Sequence, residues 1–295
     1  FGLRRFLPRN ACLLAMAFAA VSPAFVCFNR YAIHESWMAL FLVTLSYGAL
    51  GLLQRNRRKD AWICALSIAG LVLTKETYFI HLGVAAIAFG CLKILEGFSP
   101  SLASAPVRRP GGRGFAAPCA VALGLIVFFY SGTFFNWGGL SGLYETFGAW
   151  FQTGTGGGGH DKPFHYWLEL LARYEWPALL GLLGLPALLA PAPRAVRLLG
   201  IYAFGVLLAF SIIPYKTPWC LLSMLPHFLL LAGWLLAVLA ARGERGAKLA
   251  SVVLAGVALV HSLHESLRLN FREFTNPGHR YVYVQTYEDI RWFTG

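Results

Sequence analysis

Apolar runs near the length of a bilayer crossing alternate with short polar breaks along most of this 295-residue chain. A helix rises 1.5 Å per residue, so about twenty residues cross the hydrocarbon core. The pattern predicts an all-α, polytopic integral membrane protein with about nine transmembrane helices, at residues 11–28, 36–54, 61–74, 77–95, 116–135, 176–190, 197–213, 218–240 and 249–265. Residues 61–95 form a single apolar stretch interrupted only by "TKET", Thr74 to Thr77. As one straight helix it would measure about 52 Å, too long for a bilayer. The break therefore predicts a hairpin with Lys75 and Glu76 at its apex.

Composition sharpens this picture. The chain is 57% hydrophobic and 13% charged, with a mean hydropathy of +0.59. Its net charge of +12 does not suggest nucleic acid, because the basic residues sit in short clusters between apolar runs, where they orient a chain in the bilayer. With the N-terminus inside, the cytoplasmic segments hold 16 of the 25 Lys and Arg but only Asp60, Glu96 and Glu244 of the 13 acids. The other face receives "NRYAIHE", "TKE", a loop at 136–175, "YKTPW" and everything after Glu265. This divides the chain into a multi-span domain, 1–265, with surface helices in its outer loop, and a non-cytoplasmic tail, 266–295, expected to begin a further domain. The opening "FGLRRFLPRN" imitates a signal peptide, yet another span follows closely, so a fragment with residues upstream is expected. The six cysteines show no metal spacing and read as small core residues, with a Cys27–Cys220 bridge as the alternative.

Candidate chemistry collects on the expected outer face. In the long loop, Leu140, Leu143, Tyr144, Phe147, Trp150 and Phe151 recur at helical spacing, which predicts an amphipathic helix on the membrane surface. "TGTGGGGHDKPFHYW" follows, with glycines as a permissive hinge and Pro163 opening a second helix. It lacks the G-K-[ST] ending of a phosphate loop. His160, Asp161 and His165 carry donors for a divalent metal ion at loose spacing, while a substrate loop formed with Lys162 and Tyr166, or a plain connector, are the other readings. In "FNRYAIHESW", Arg30 suits an anion and shares a helical face with His34 if the helix has begun, or else it pairs locally with Glu35. In "IIPYKTPWC", two prolines break a helix and place Lys216 beside Tyr215 and Trp219, either as an anion ligand or as an interfacial anchor. Ionisable groups beside hydrocarbon are costly unless paired or wet, so their gathering on one face suggests a site.

"SPAFVCFNRYAIHES", "LVLTKETYFI", "GHDKPFHYWLELLARYE", "IPYKTPW" and "NPGHRYVYVQTYED", in that order, resemble the GT-C superfamily of membrane glycosyltransferases. Within it, the likeness is to protein O-mannosyltransferase-like proteins of the prokaryotic flippase activity-associated family, over residues 11–290. The resemblance implies a plasma or inner membrane transferase that takes a sugar from a polyprenyl-phosphate carrier on the non-cytoplasmic face, in company with other glycosylation proteins. It also implies a catalytic acid in a loop upstream of Phe1, so no residue of this chain receives that role. Arg30, Lys75 and Lys216, with Tyr215 and Trp219, are the expected phosphate site. His160, Asp161, Lys162, His165 and Tyr166 are the expected sugar or acceptor loop, and His34, Glu35 and Glu76 are further outer-face candidates. A flippase-associated or transport-accessory protein, or an inactive scaffold, are the competing readings.

Overall fold

A computed structural model describes residues 2–31, 33–54, 57–98, 113–154, 160–185 and 192–282. The basic cluster at 107–112, the glycines at 155–159 and the tail beyond 282 lie outside the described residues. Twelve α-helices follow in order: α1 (Arg9–Val21), α2 (Pro23–Asn29), α3 (His34–Gln54), α4 (Arg58–Thr74), α5 (Tyr78–Phe98), α6 (Arg113–Tyr130), α7 (Gly142–Gly154), α8 (Tyr166–Tyr174), α9 (Trp176–Leu183), α10 (Arg194–Ile212), α11 (Leu221–Ala241) and α12 (Arg245–Leu267). Among the described residues the only extended pairing is one isolated bridge, in the connections between helices.

Five helices are long and apolar enough to cross a membrane: α3, α5, α10, α11 with its lead-in from Pro218, and α12. The pair α1–α2, bent by 56°, makes a sixth if it is counted as one span. Such helices are consistent with an integral membrane protein. The other three expected crossings correspond among the described residues to the shorter helices α4, α6 and α9, of 17, 18 and 8 residues, and the last part of the 176–190 stretch lies outside the described residues, so nine full-length spans are not confirmed. For α4 the reason is plain: Arg58 to Asp60 and "TKET" bound its apolar stretch at both ends.

The core is built around α11, which packs against α1, α3, α9, α10 and α12. Glycines permit the closest of these approaches. A β-carbon at Gly233 would stand 2.2 Å from the Ala11 carbonyl oxygen, and one at Gly181 would stand 2.0 Å from that of Phe228. Small residues of this kind let helix backbones meet where apolar burial alone cannot drive association in lipid. By contrast, Ile87 on α5 and Leu249, Val252 and Val260 on α12 are exposed apolar side chains, as on a lipid-facing surface.

The polar breaks fall at one end of the bundle. There α4 stops at Thr74 and α5 starts at Tyr78, as the hairpin expectation required. At the same end α10 stops at Ile212, and Pro218 opens a short 3-10 turn into α11. The expected amphipathic helix is α7, whose Phe147 and Trp150 rings pack on Phe79 with centroids 5.1 and 4.9 Å away.

Candidate functional site

The end of α4 and the start of α3 bring Lys75 and Glu35 together. Their side chains form a direct ion pair in which Glu35 is 2% exposed and Lys75 is 17% exposed. Burial alone would lower the Lys75 pKa, but the Cys220 sulfur, Glu35 and Glu76 outweigh it and raise it. The ammonium is therefore a permanent charge, committed first to Glu35. Glu76, its neighbour, has no hydrogen bond or ion pair among the described residues.

Two cavities meet at these residues. One, of about 560 Å³, is walled by Phe28, Tyr31, His34, Glu35, Lys75, Glu76, Trp219 and Tyr281. The other, of about 290 Å³, lies under α7, between Thr146 and Trp150 on one side and Tyr215, Thr217 and Cys220 on the other. Lys75, Glu76 and Trp219 line both, so they form the partition. The larger cavity is backed by a ring cluster, with Phe28 edge-on to Trp219 at 6.4 Å and against Tyr281 at 5.3 Å.

A third recess, of about 340 Å³, contains Arg30, Tyr31, Asn270, Phe271 and Phe274, and Tyr31 joins it to the large cavity. Arg30 Nη1 donates to the Asn270 carbonyl at 2.8 Å, and the guanidinium lies 5.3 Å from the Phe271 ring centroid. Among the described residues no acidic side chain lines this recess.

Several expectations change here. Arg30 and His34 do not share a helical face, because α2 ends at Asn29 and a new helix opens at His34. Nor does Arg30 pair with Glu35, whose partner is Lys75. Lys216 is 1% exposed and lines none of the three cavities. Its ammonium donates to the carbonyls of Lys162 and Ile213, at 3.1 and 2.5 Å. Burial lowers its pKa, opposed by Asp161. The cause is local: α10 ends beside Pro214, its C-cap carbonyl at Ile213 lacks a helical partner, and the bridged 160–162 segment brings the Lys162 carbonyl to the same ammonium.

His160, Asp161 and Lys162 pair with the same segment. Asp161 forms the isolated antiparallel bridge with Tyr215, the Lys162 amide donates to Pro214 O, and the Lys216 amide donates to His160 O, both at 3.0 Å. The His160 ring stands edge-on to Tyr215 at 5.0 Å. His165 departs from this group and pairs with Glu169 on α8 at 2.8 Å. Tyr166 is not a loop residue: it begins α8 and is buried in the core. Among the described residues no three His, Cys, Asp or Glu side chains could hold a metal ion together, and His160, Asp161 and His165 are not such a group. All six cysteines are free thiols.

Sequence reasoning missed Glu175, treated only as the end of a loop. It is completely buried and accepts hydrogen bonds from Ser22 Oγ and the Ala24 amide, each at 2.8 Å, and from Tyr281 at 3.4 Å. Burial pushes its carboxyl up to about 7 against these three bonds. The available signal was the "SP" pair at Ser22–Pro23, a helix-start signature inside an apolar run. Comparison of the chain with protein-family models, curated proteins and solved structures finds no match.

Proposed function

We propose that this protein is a membrane glycosyltransferase of GT-C type that handles a polyprenyl-phosphate-linked sugar at the end of the bundle where its polar breaks gather. The observation carrying this reading is the junction at Tyr31 between the Arg30 recess and the aromatic cavity holding Lys75 and Glu76. A guanidinium with no acidic side chain in its recess among the described residues suits a phosphate, whose oxygens match its planar donors. Leu269, Phe271 and Phe274 beside it suit the first apolar units of a lipid tail. The aromatic cavity suits the sugar, since rings with a few convergent polar groups are how a concave site fixes such a ligand. The smaller cavity under α7 leaves space for an acceptor.

In this arrangement Arg30 neutralises the phosphate leaving group, and the Glu35–Lys75 pair, neutral as a unit, forms a fixed polar wall of the sugar cavity. Lys216 has no part in it, because its ammonium is already committed. The test is binding of a farnesyl-phosphate-linked hexose to the purified full-length protein in nanodiscs, with Arg30→Ala as control. Binding that falls about 10- to 150-fold in the variant is expected from loss of a charged hydrogen bond. Absence of binding to the parent, or equal binding by the variant, overturns the proposal.

A further inference from the structure

The charge balance inside the aromatic cavity restricts the sugar it accepts. Two carboxylates, Glu35 and Glu76, face one ammonium, Lys75. Because Glu35 and Lys75 neutralise each other, the charge that a ligand meets is that of Glu76. Glu76 makes no hydrogen bond or ion pair among the described residues, although it acts on Lys75 through space, and it lines both cavities at their partition. A carboxylate accepts hydrogen bonds and donates none when ionised, so it is satisfied by hydroxyl or ammonium donors and repelled by another carboxylate.

We infer that Glu76 is a specificity-determining residue, making this cavity a site for neutral or amino sugars and closing it to acidic ones. The inference rests on the reading of the cavity as a carbohydrate site. Its rings contribute in the same direction: Tyr31 and Trp219 are among the lining residues, and aromatic rings favour a ligand cation over an anion. A phosphate is disfavoured in the cavity for the same reason and is left to the Arg30 recess, where among the described residues no carboxylate opposes it.

The purified full-length protein in nanodiscs is titrated by saturation-transfer NMR with glucose, glucosamine and glucuronate at neutral pH. The parent is expected to bind glucosamine at least as well as glucose, and glucuronate about 5- to 30-fold more weakly, the effect of one uncompensated charge. Glu76→Gln, at a partly exposed position, is expected to bring the ratio of glucuronate to glucose affinity close to one, the readout being that ratio rather than either affinity alone. If the sugars bind but glucuronate equals glucose, or if the Gln variant keeps the parent's order, Glu76 does not select and the inference fails alone. If no sugar binds, the carbohydrate reading fails and this inference with it.

Discussion

The Ser22 hydroxyl donates to Glu175 at 2.8 Å across 153 residues of chain, joining the break between α1 and α2 to the turn between α8 and α9. The same hydroxyl accepts from the Phe25 amide at 3.3 Å, and Glu175 takes the Ala24 amide, so two orphan donors of α2 are satisfied at the bend. One buried carboxyl thus fixes the angle at which α2 delivers Phe28 and Arg30 to the site.

That position makes stability depend on pH in a defined direction. The Glu175 carboxyl stands at about 7 in the fold, above its ordinary value of 4.5, so between those values the folded state binds the extra proton. Stability therefore falls as pH rises from about 4.5 to 7 and levels off above it, by roughly 3 kcal/mol in all. Glu175→Gln is expected to flatten this portion of the unfolding curve measured in detergent. An unchanged pH profile in the variant would assign the dependence elsewhere.

The ion pair between Glu35 and Lys75 predicts strong coupling. Removing one partner strands the other charge beside a low-dielectric wall, whereas removing both leaves nothing to solvate. Glu35→Gln and Lys75→Met are each expected to cost about 3 kcal/mol of unfolding free energy, and the double variant distinctly less than their sum. Strict additivity in the double-mutant cycle would show that the pair contributes no mutual energy.

The contrast between these residues and Lys216 shows what the sequence could carry. Both helix breaks were legible, because Pro214, Pro218 and the charged "TKET" interrupt runs that otherwise have no reason to stop. The gathering of polar segments at one end followed from counting crossings. Partner choice was not legible: Glu35 lies five residues from Arg30 but pairs with Lys75, forty residues away, because α2 and α3 diverge at the intervening turn. Among the described residues five helices, or six with the bent pair, are long and apolar enough to cross, fewer than the nine apolar stretches, because an apolar stretch does not by itself set the length of its helix. For Glu175 the sequence offered only the helix-start signature at Ser22–Pro23, which marks the donors but not the carboxyl 153 residues away that receives them.

Inside the bundle, the Tyr202 hydroxyl and His81 Nδ1 share a 2.8 Å hydrogen bond between α10 and α5, and both side chains are buried. Tyr202→Phe leaves the imidazole nitrogen without its partner and is expected to cost about 1 to 3 kcal/mol. Adding His81→Leu should recover part of that loss, because an apolar pair of similar shape has no polar atom to satisfy. Thermal unfolding of the two variants decides it: a double variant at least as unstable as the sum of the singles would mean that the imidazole is held by something other than Tyr202.

Lys216 carries the most discriminating prediction, because two roles for its ammonium lead to different measurements. In the structure it clamps the carbonyls of Lys162 and Ile213, beside a pair of backbone bonds in which the Lys162 amide donates to Pro214 and the Lys216 amide donates to His160. Two charged hydrogen bonds to carbonyls hold the 160–162 segment against the α10 terminus. Lys216→Met should release that segment locally, without global unfolding, so exchange of the Lys162 and residue-216 amides should quicken about 10- to 150-fold, as expected for losing roughly 1.5 to 3 kcal/mol. Lys216→Arg should restore little of the protection, since a planar guanidinium does not fit a pocket shaped for a compact ammonium with carbonyls on two sides. An anion-binding lysine behaves otherwise: its loss lowers phosphate-ligand affinity and leaves amide exchange alone. Unchanged exchange at Lys162 together with a tenfold loss of farnesyl-phosphate hexose binding would remove the clamp and return Lys216 to the phosphate site.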